Sequence, residues 1–130
     1  MIEFHVSTAS GVSPYMQLIQ QVRQALRLGL LRTGDQLPTV KEVAAAVAIN
    51  PNTVLKAYRE LEYQGLIAAR PGVGTFVTGT LSDGSLAEHA RLRRDLVRWL
   101  DKARLAGLDD ESIEALFANA FHAQRHTDTA

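Results

Sequence analysis

Residues 49–66 read INPNTVLKAYRELEYQGL, and that stretch leaves the backbone little choice. Asn50 is a good helix cap, and Pro51 suits the first helical position, where its missing N–H costs nothing. Val54, Tyr58 and Leu61 then recur at i, i+4 and i+7, the spacing of a buried helical face. The opposite face carries Asn52, Thr53, Lys56, Arg59 and Tyr63. A helix sealed on one side, with hydrogen-bonding side chains crowded at the start of the other, is suited to a polar, anionic partner.

The neighbouring segments supply the surfaces that this helix needs. Pro14 followed by Met16, Ile19, Val22, Leu26 and Leu30 predicts a helix over residues 15–31. RTGDQLP breaks that pattern with turn residues. Thr39 and Glu42 have the spacing of a capping box, opening a short helix to about Val47 with Val43, Ala44 and Val47 inward. A three-residue turn joins it to the helix of the opening stretch, which Gly65 is placed to end. LIAARPGVGTFVT then reads as a β-hairpin, and the alternation of Ile2, Phe4 and Val6 as a short strand or an extended arm. Three helices and a hairpin make residues 1–78 a winged helix-turn-helix domain with a short N-terminal arm.

Residues 79–84 read as a polar linker, and two further helices follow within 79–130. The first carries Leu92, Leu96, Trp99, Leu100 and Ala103 as an apolar stripe and meets Gly107 at its end. Asp109 can cap the second, whose stripe is Ile113, Leu116, Phe117, Ala120 and Phe121. Two helices cannot easily bury both stripes against a domain whose core is already closed, so a self-complementary dimer is the simplest remedy. The expected interface is Leu92, Leu96, Trp99, Leu100, Ile113, Leu116, Phe117 and Phe121. The fold class expected is mostly α with a small β-hairpin: an N-terminal winged helix-turn-helix and a two-helix C-terminal dimerisation tail.

Residues 14–78 resemble the DNA-binding domain of GntR-family transcription regulators. The likeness runs through GDQLPTVKEVAAAVAINPNTVLKAYRELEYQGLI and ends in ARPGVGTFV. The wording NPNTV.KAY.ELE, with only some fifty residues after the domain, is similar to the YtrA-like subfamily, whose members carry a short two-helix dimerisation tail. The resemblance implies a dimeric repressor on a near-palindromic operator of its own operon, one encoding an ABC transporter. It also implies that the wing, Arg70 with Gly72 and Gly74, approaches a minor groove; the bland alternative is that the glycines only permit the turn. Lys41 stands where the family often has Arg, and Leu55 where many relatives are polar or basic.

Candidate DNA contacts are Thr39, Lys41, Asn52, Thr53, Leu55, Lys56, Arg59, Arg70, Gly72 and Gly74. A helix-turn-helix presents the start of its second helix to the major groove, where Asn52 can read adenine and Thr53 a base edge or a phosphate. Leu55 can touch a thymine methyl or stand as a lone exposed leucine. Arg59 suits phosphate better than base, and Tyr58 suits the core. Capping suffices to explain Asn50, Pro51 and, in part, Thr39.

Zero net charge argues against nucleic acid only at first sight. Residues 14–78 hold seven basic and four acidic side chains, a local excess of three positive charges. With no cysteine there is no thiolate zinc site or disulfide framework. His122 and His126 lie at i, i+4 without a third ligand in phase, so no metal or other cofactor is expected. No activated nucleophile or carboxylate pair suggests an enzyme. No span for a membrane and no leader are expected, which points to the cytoplasm. A small-molecule effector pocket is not evident. The competing reading is a winged protein-interaction module without DNA, which predicts an acidic or apolar recognition face in place of Asn, Thr, Lys and Arg.

Overall fold

The computed structural model describes residues 1–81 and 86–128, and it forms two compact units that divide after Leu86. The first contains α1 (Pro14–Arg27), β1 (Gln36–Leu37), α2 (Val40–Val47), α3 (Pro51–Tyr63), β2 (Ile67–Arg70) and β3 (Gly74–Val77). The second contains α4 (Leu86–Leu105) and α5 (Asp110–Asp128). This is a winged-helix fold followed by two helices, mostly α as expected. Residues 82–84 of the expected linker lie outside the described residues.

Each helix of the first unit starts where its cap directs. Ser13, Thr39 and Asn50 are extended, and each accepts a backbone N–H of the following turn: Met16 at 3.2 Å, Glu42 at 3.1 Å and Asn52 at 2.8 Å. α1 and α3 also end alike. After α1, Gly29 takes φ 73°; its N–H bonds Leu26 O (3.2 Å) while Leu30 N–H bonds Ala25 O (2.8 Å). After α3, Gly65 takes φ 77°; its N–H bonds Glu62 O (2.9 Å) and Leu66 N–H bonds Leu61 O (3.0 Å). This pairing of a left-handed glycine with the next residue satisfies the last carbonyls of each helix.

The stop at Gly29 corrects the expected helix over 15–31. Beyond it the chain no longer keeps helical phase, so Leu30 is 65% exposed and Leu31 enters the core in its place. Met16, also expected on the inner face, is 40% exposed. The core is built from Leu18, Val22 and Leu26 of α1, Val43 of α2, Val54, Ala57, Tyr58 and Leu61 of α3, and Leu37, Ile67 and Val77 of the sheet. Burying each of the larger aliphatic side chains contributes roughly 1.5–3 kcal/mol.

The sheet has a strand that the sequence reading takes for a turn. β1 pairs antiparallel with β3, Gln36 opposite Phe76 and Leu37 opposite Thr75, giving the order β1-β3-β2. Two residues are too few to show a period of two. The N-terminal segment is an arm and not a strand: Ile2, Phe4 and Val6 pack on the core. Side-chain amides of α1 hold its backbone. Gln21 bonds both the N–H (3.1 Å) and the carbonyl (2.6 Å) of His5, and Gln17 does the same for Ser7 (2.9 and 2.8 Å).

In the second unit, Gly107 (φ 92°) closes α4 with the same pair of bonds, from Gly107 N–H to Arg104 O and from Leu108 N–H to Ala103 O. The Ser112 hydroxyl and, after it, the Ser112 N–H (2.8 Å) donate to Asp109 and hold its carboxyl below the usual range. Arg104 reaches Asp110 across the corner at 2.6 Å. Ala103 and Ile113, on either side of that corner, are buried, whereas Leu92, Leu96, Leu116, Phe117 and Phe121 are exposed.

One polar contact fixes the first unit internally. The buried Tyr58 hydroxyl donates to Pro38 O at 2.6 Å, tying α3 to the segment between β1 and α2. Burial, with the Glu42 carboxylate adding to it, raises the Tyr58 pKa, so the phenol keeps its proton and stays a donor. Tyr58→Phe leaves that carbonyl without its donor and is expected to lower the unfolding free energy by about 1–3 kcal/mol in urea titrations.

Candidate nucleic-acid interface

α3 separates two kinds of side chain. Val54, Ala57, Tyr58 and Leu61 are sealed into the core, so Asn52, Lys56, Arg59 and Tyr63 are left exposed, with Thr53 half-buried between them. The Asn52 backbone is committed to the cap while its side chain is exposed. Leu55 is half-buried, so less of it is offered outward than its helical phase suggests. Ala48, left-handed at φ 55°, turns the chain between α2 and α3.

Packing of α1 on α3 adds residues that linear spacing cannot reveal. An open groove of about 590 Å³ is lined by Tyr15, Thr53, Lys56, Arg59, Glu60 and Tyr63. Tyr15 comes from the first turn of α1, thirty-eight positions before Thr53. Glu60 is the acid among these cations, and it accepts from Gln64 Nε2 (3.1 Å), whose Oε1 accepts from Arg23 (2.7 Å). Arg23 is thereby tied across to the end of α3. The groove presents two cations, two phenols and a threonine hydroxyl to whatever enters it.

Thr39 and Lys41 stand at the start of α2, both exposed. The Thr39 hydroxyl accepts from Glu42 N–H and donates to Glu42 Oε1 at 3.1 Å, so its capping role is in place. The wing is the β2–β3 hairpin, in which Arg70 lies opposite Gly74. The Arg70 guanidinium sits 4.9 Å from the ring centre of Phe76, a cation–π contact that holds a long side chain in an extended wing. Gly72 (φ 76°) permits the turn. Gly74 holds φ 143°, a backbone angle that other residues rarely adopt, and the atom nearest a Cβ there, Gln36 Nε2 at 2.6 Å, ends an exposed, flexible side chain that can swing aside. The demand for glycine at this position therefore comes from the backbone angle.

Among the described residues, no helix is long and apolar enough to cross a membrane, and no cluster of three or more His, Asp or Glu could hold a metal. His122 stacks edge-on with Phe121, while the side chain of His126 lies outside the described residues.

The geometry is shared with known proteins. The family described as bacterial regulatory proteins, gntR family, matches residues 14–77. HTH-type transcriptional repressor YtrA of Bacillus subtilis (strain 168) is 34% identical over 112 residues, 83% of this chain and 84% of that protein. Among solved structures, one described as a transcriptional antiterminator from Listeria monocytogenes EGD-e superposes over 92% of this chain and 90% of its own (30% identity, TM-score 0.57). YtrA from Sulfolobus acidocaldarius, described as a GntR-family transcription factor, superposes over 74% of this chain and 95% of its own (27% identity, TM-score 0.53).

The division of labour at the start of α3 has a direct consequence. Asn50→Ala removes a cap and should cost about 1 kcal/mol of stability. Asn52→Ala and Lys56→Ala remove exposed side chains and should stay within about 0.5 kcal/mol of the parent. Chemical denaturation of the three variants side by side checks the contrast.

Proposed function

Because the chain belongs to the gntR family of bacterial regulatory proteins, we propose that it acts in the cytoplasm as a dimeric repressor on a near-palindromic operator. It is a DNA-binding transcriptional regulator and not an enzyme. The observation that carries the finer reading is the two-sided α3: one face is locked into the core by Val54, Ala57, Tyr58 and Leu61, and the other offers Asn52, Thr53, Lys56 and Arg59.

In this reading the start of α3 enters the major groove. Asn52 reads a base edge, Thr53 a base or a phosphate, and Lys56 and Arg59 hold the backbone. Thr39 and Lys41, at the start of α2, add phosphate contacts beside it. Arg70, braced on Phe76 and flanked by Gly72 and Gly74, brings the wing to the adjacent minor groove. Leu55 contributes its uncovered part to a thymine methyl. A repressor of this kind acts by occluding a promoter, here that of its own transporter operon.

The dimer rests on the apolar faces of α4 and α5. Leu92, Leu96, Leu116, Phe117 and Phe121 are all exposed in the single chain, with the Phe117 and Phe121 rings stacked 5.9 Å apart. A second copy covers this surface by two-fold packing, with the half-buried Trp99 and Leu100 at its edge. Ile113 is already buried within the chain and contributes from beneath. Two copies place two recognition helices, so half-sites lie about one helical turn, or a multiple of it, apart.

Gel-shift titrations against the chain's own upstream region test the reading. Affinity should fall steeply with salt. Asn52→Ala and Lys56→Ala should each cost on the order of 1–3 kcal/mol of specific binding with the fold intact, and Arg70→Ala should weaken binding uniformly over sequences. Binding indifferent to both salt and sequence rejects the proposal. Phe117→Asp combined with Phe121→Asp should give monomers, by sedimentation, that footprint the operator only weakly. Monomers with undiminished affinity would remove the tail from the mechanism.

A further inference from the structure

Neutrality of the whole chain conceals a second segregation of charge, inside α4 and α5. Six of the seven basic residues after position 78 lie in α4 (Arg91, Arg93, Arg94, Arg98, Lys102 and Arg104), against Glu88, Asp95 and Asp101. The acids gather at the start of α5, as Asp109, Asp110, Glu111 and Glu114.

Helical geometry sorts the α4 cations further. At 100° per residue, Arg91, Arg94, Arg98 and Lys102 share one stripe, turned away from the stripe of Leu92, Leu96, Trp99 and Ala103. The arginines of this stripe are exposed, as is Lys102. Arg98 makes a loose 3.7 Å pair with Asp95, both well solvated, and Arg91, Arg94 and Lys102 have no ion-pair partner among the described residues. The remaining cation at the corner, Arg104, is already engaged with Asp110. From Arg91 to Lys102 the stripe runs about 16 Å along the helix axis, long enough to follow several phosphates of a duplex backbone.

We propose that this stripe of α4 is a second contact to duplex DNA, gripping the phosphate backbone outside the bases read by α3. The proposal rests on the operator-binding reading above. Three properties of the stripe select the partner. It is arginine-rich and net basic, its four cations outnumbering Asp95 and Asp101 at its edges, which suits phosphate oxygens. Its centre is turned more than a right angle around the helix from that of the apolar stripe, so a second copy seated on Leu92 and Leu96 leaves Arg94 and Arg98 uncovered. It belongs to a chain whose first unit already binds duplex, so any phosphate contact is made at high effective concentration. A contact of this kind carries no sequence information and adds salt-dependent affinity.

The test uses the full chain with Arg91, Arg94 and Arg98 all changed to Ala. Operator binding is titrated against salt, on a duplex with long flanks and on one trimmed to the operator, with sedimentation run on the same samples. The expected variant is a dimer that still prefers operator to unrelated DNA. On the long duplex its plot of log affinity against log salt should be shallower by about 2 or more, since each lost phosphate contact reduces the slope by roughly 1. On the trimmed duplex the difference should shrink. A variant with the parent's slope and affinity on the long duplex overturns the inference while the operator reading stands. A variant that falls to monomers also overturns it, because the stripe then belongs to the subunit contact. Binding of the parent, and not the variant, to anionic vesicles with no difference on DNA assigns the stripe to a membrane surface and overturns it equally. Loss of operator preference by the parent chain itself rejects the reading beneath, and the inference with it.

Discussion

The hydroxyl of Tyr58, 2.6 Å from the carbonyl of Pro38, sets the rotation of α3 about its own axis. Val54, Ala57 and Leu61 would be buried by a helix that rolled slightly, because apolar contact is indifferent to direction. A hydrogen bond is not: an off-axis phenol leaves a buried carbonyl without a donor. The bond is also insulated from pH in the physiological range, since burial beside Glu42 keeps the phenol protonated. With that rotation fixed, the angular positions of Asn52, Lys56 and Arg59 are fixed too, and under the proposed DNA contact a packing constraint becomes a constraint on recognition.

Local chemistry was the legible part of the sequence. Asn50, Pro51 and Thr39 specify helix starts through hydrogen bonds spanning two or three residues, and Gly65 specifies an end through its own φ. Such signals need no knowledge of the rest of the chain. The mostly helical winged fold follows from them, together with the stripe on α3. The same grammar was misread only at Gly29, where Leu30 continues the apolar phase of α1 and masks the stop; the core takes Leu31 instead.

What stayed illegible depends on distant residues. β1 is two residues long and exists because β3 offers it a free edge. Gln17 and Gln21 sit in a helix where glutamine ordinarily faces water, and nothing nearby marks them as clamps on the N-terminal arm. Within the candidate site, the exposed face of α3 could be read from periodicity alone. Tyr15 could not, since only the packing of α1 on α3 brings it into the groove. The bracing of Arg70 by Phe76 depends on the hairpin register, which spacing suggests but does not fix.

The exposed apolar faces of α4 and α5 bear on gene dosage. For a dimer of the proposed kind, folding of this unit and association are one equilibrium, so the active species is scarce until the chain reaches its dissociation constant. Below that level the amount of dimer rises with the square of the chain concentration. Occupancy of an operator then responds more sharply to synthesis and dilution than a monomer of equal affinity would allow. A cell that dilutes its stock by growth without fresh synthesis would cross the threshold between silenced and expressed over a narrow range of concentration. The uncovered Phe117 and Phe121 side chains would thus set a switch point in the concentration of the chain.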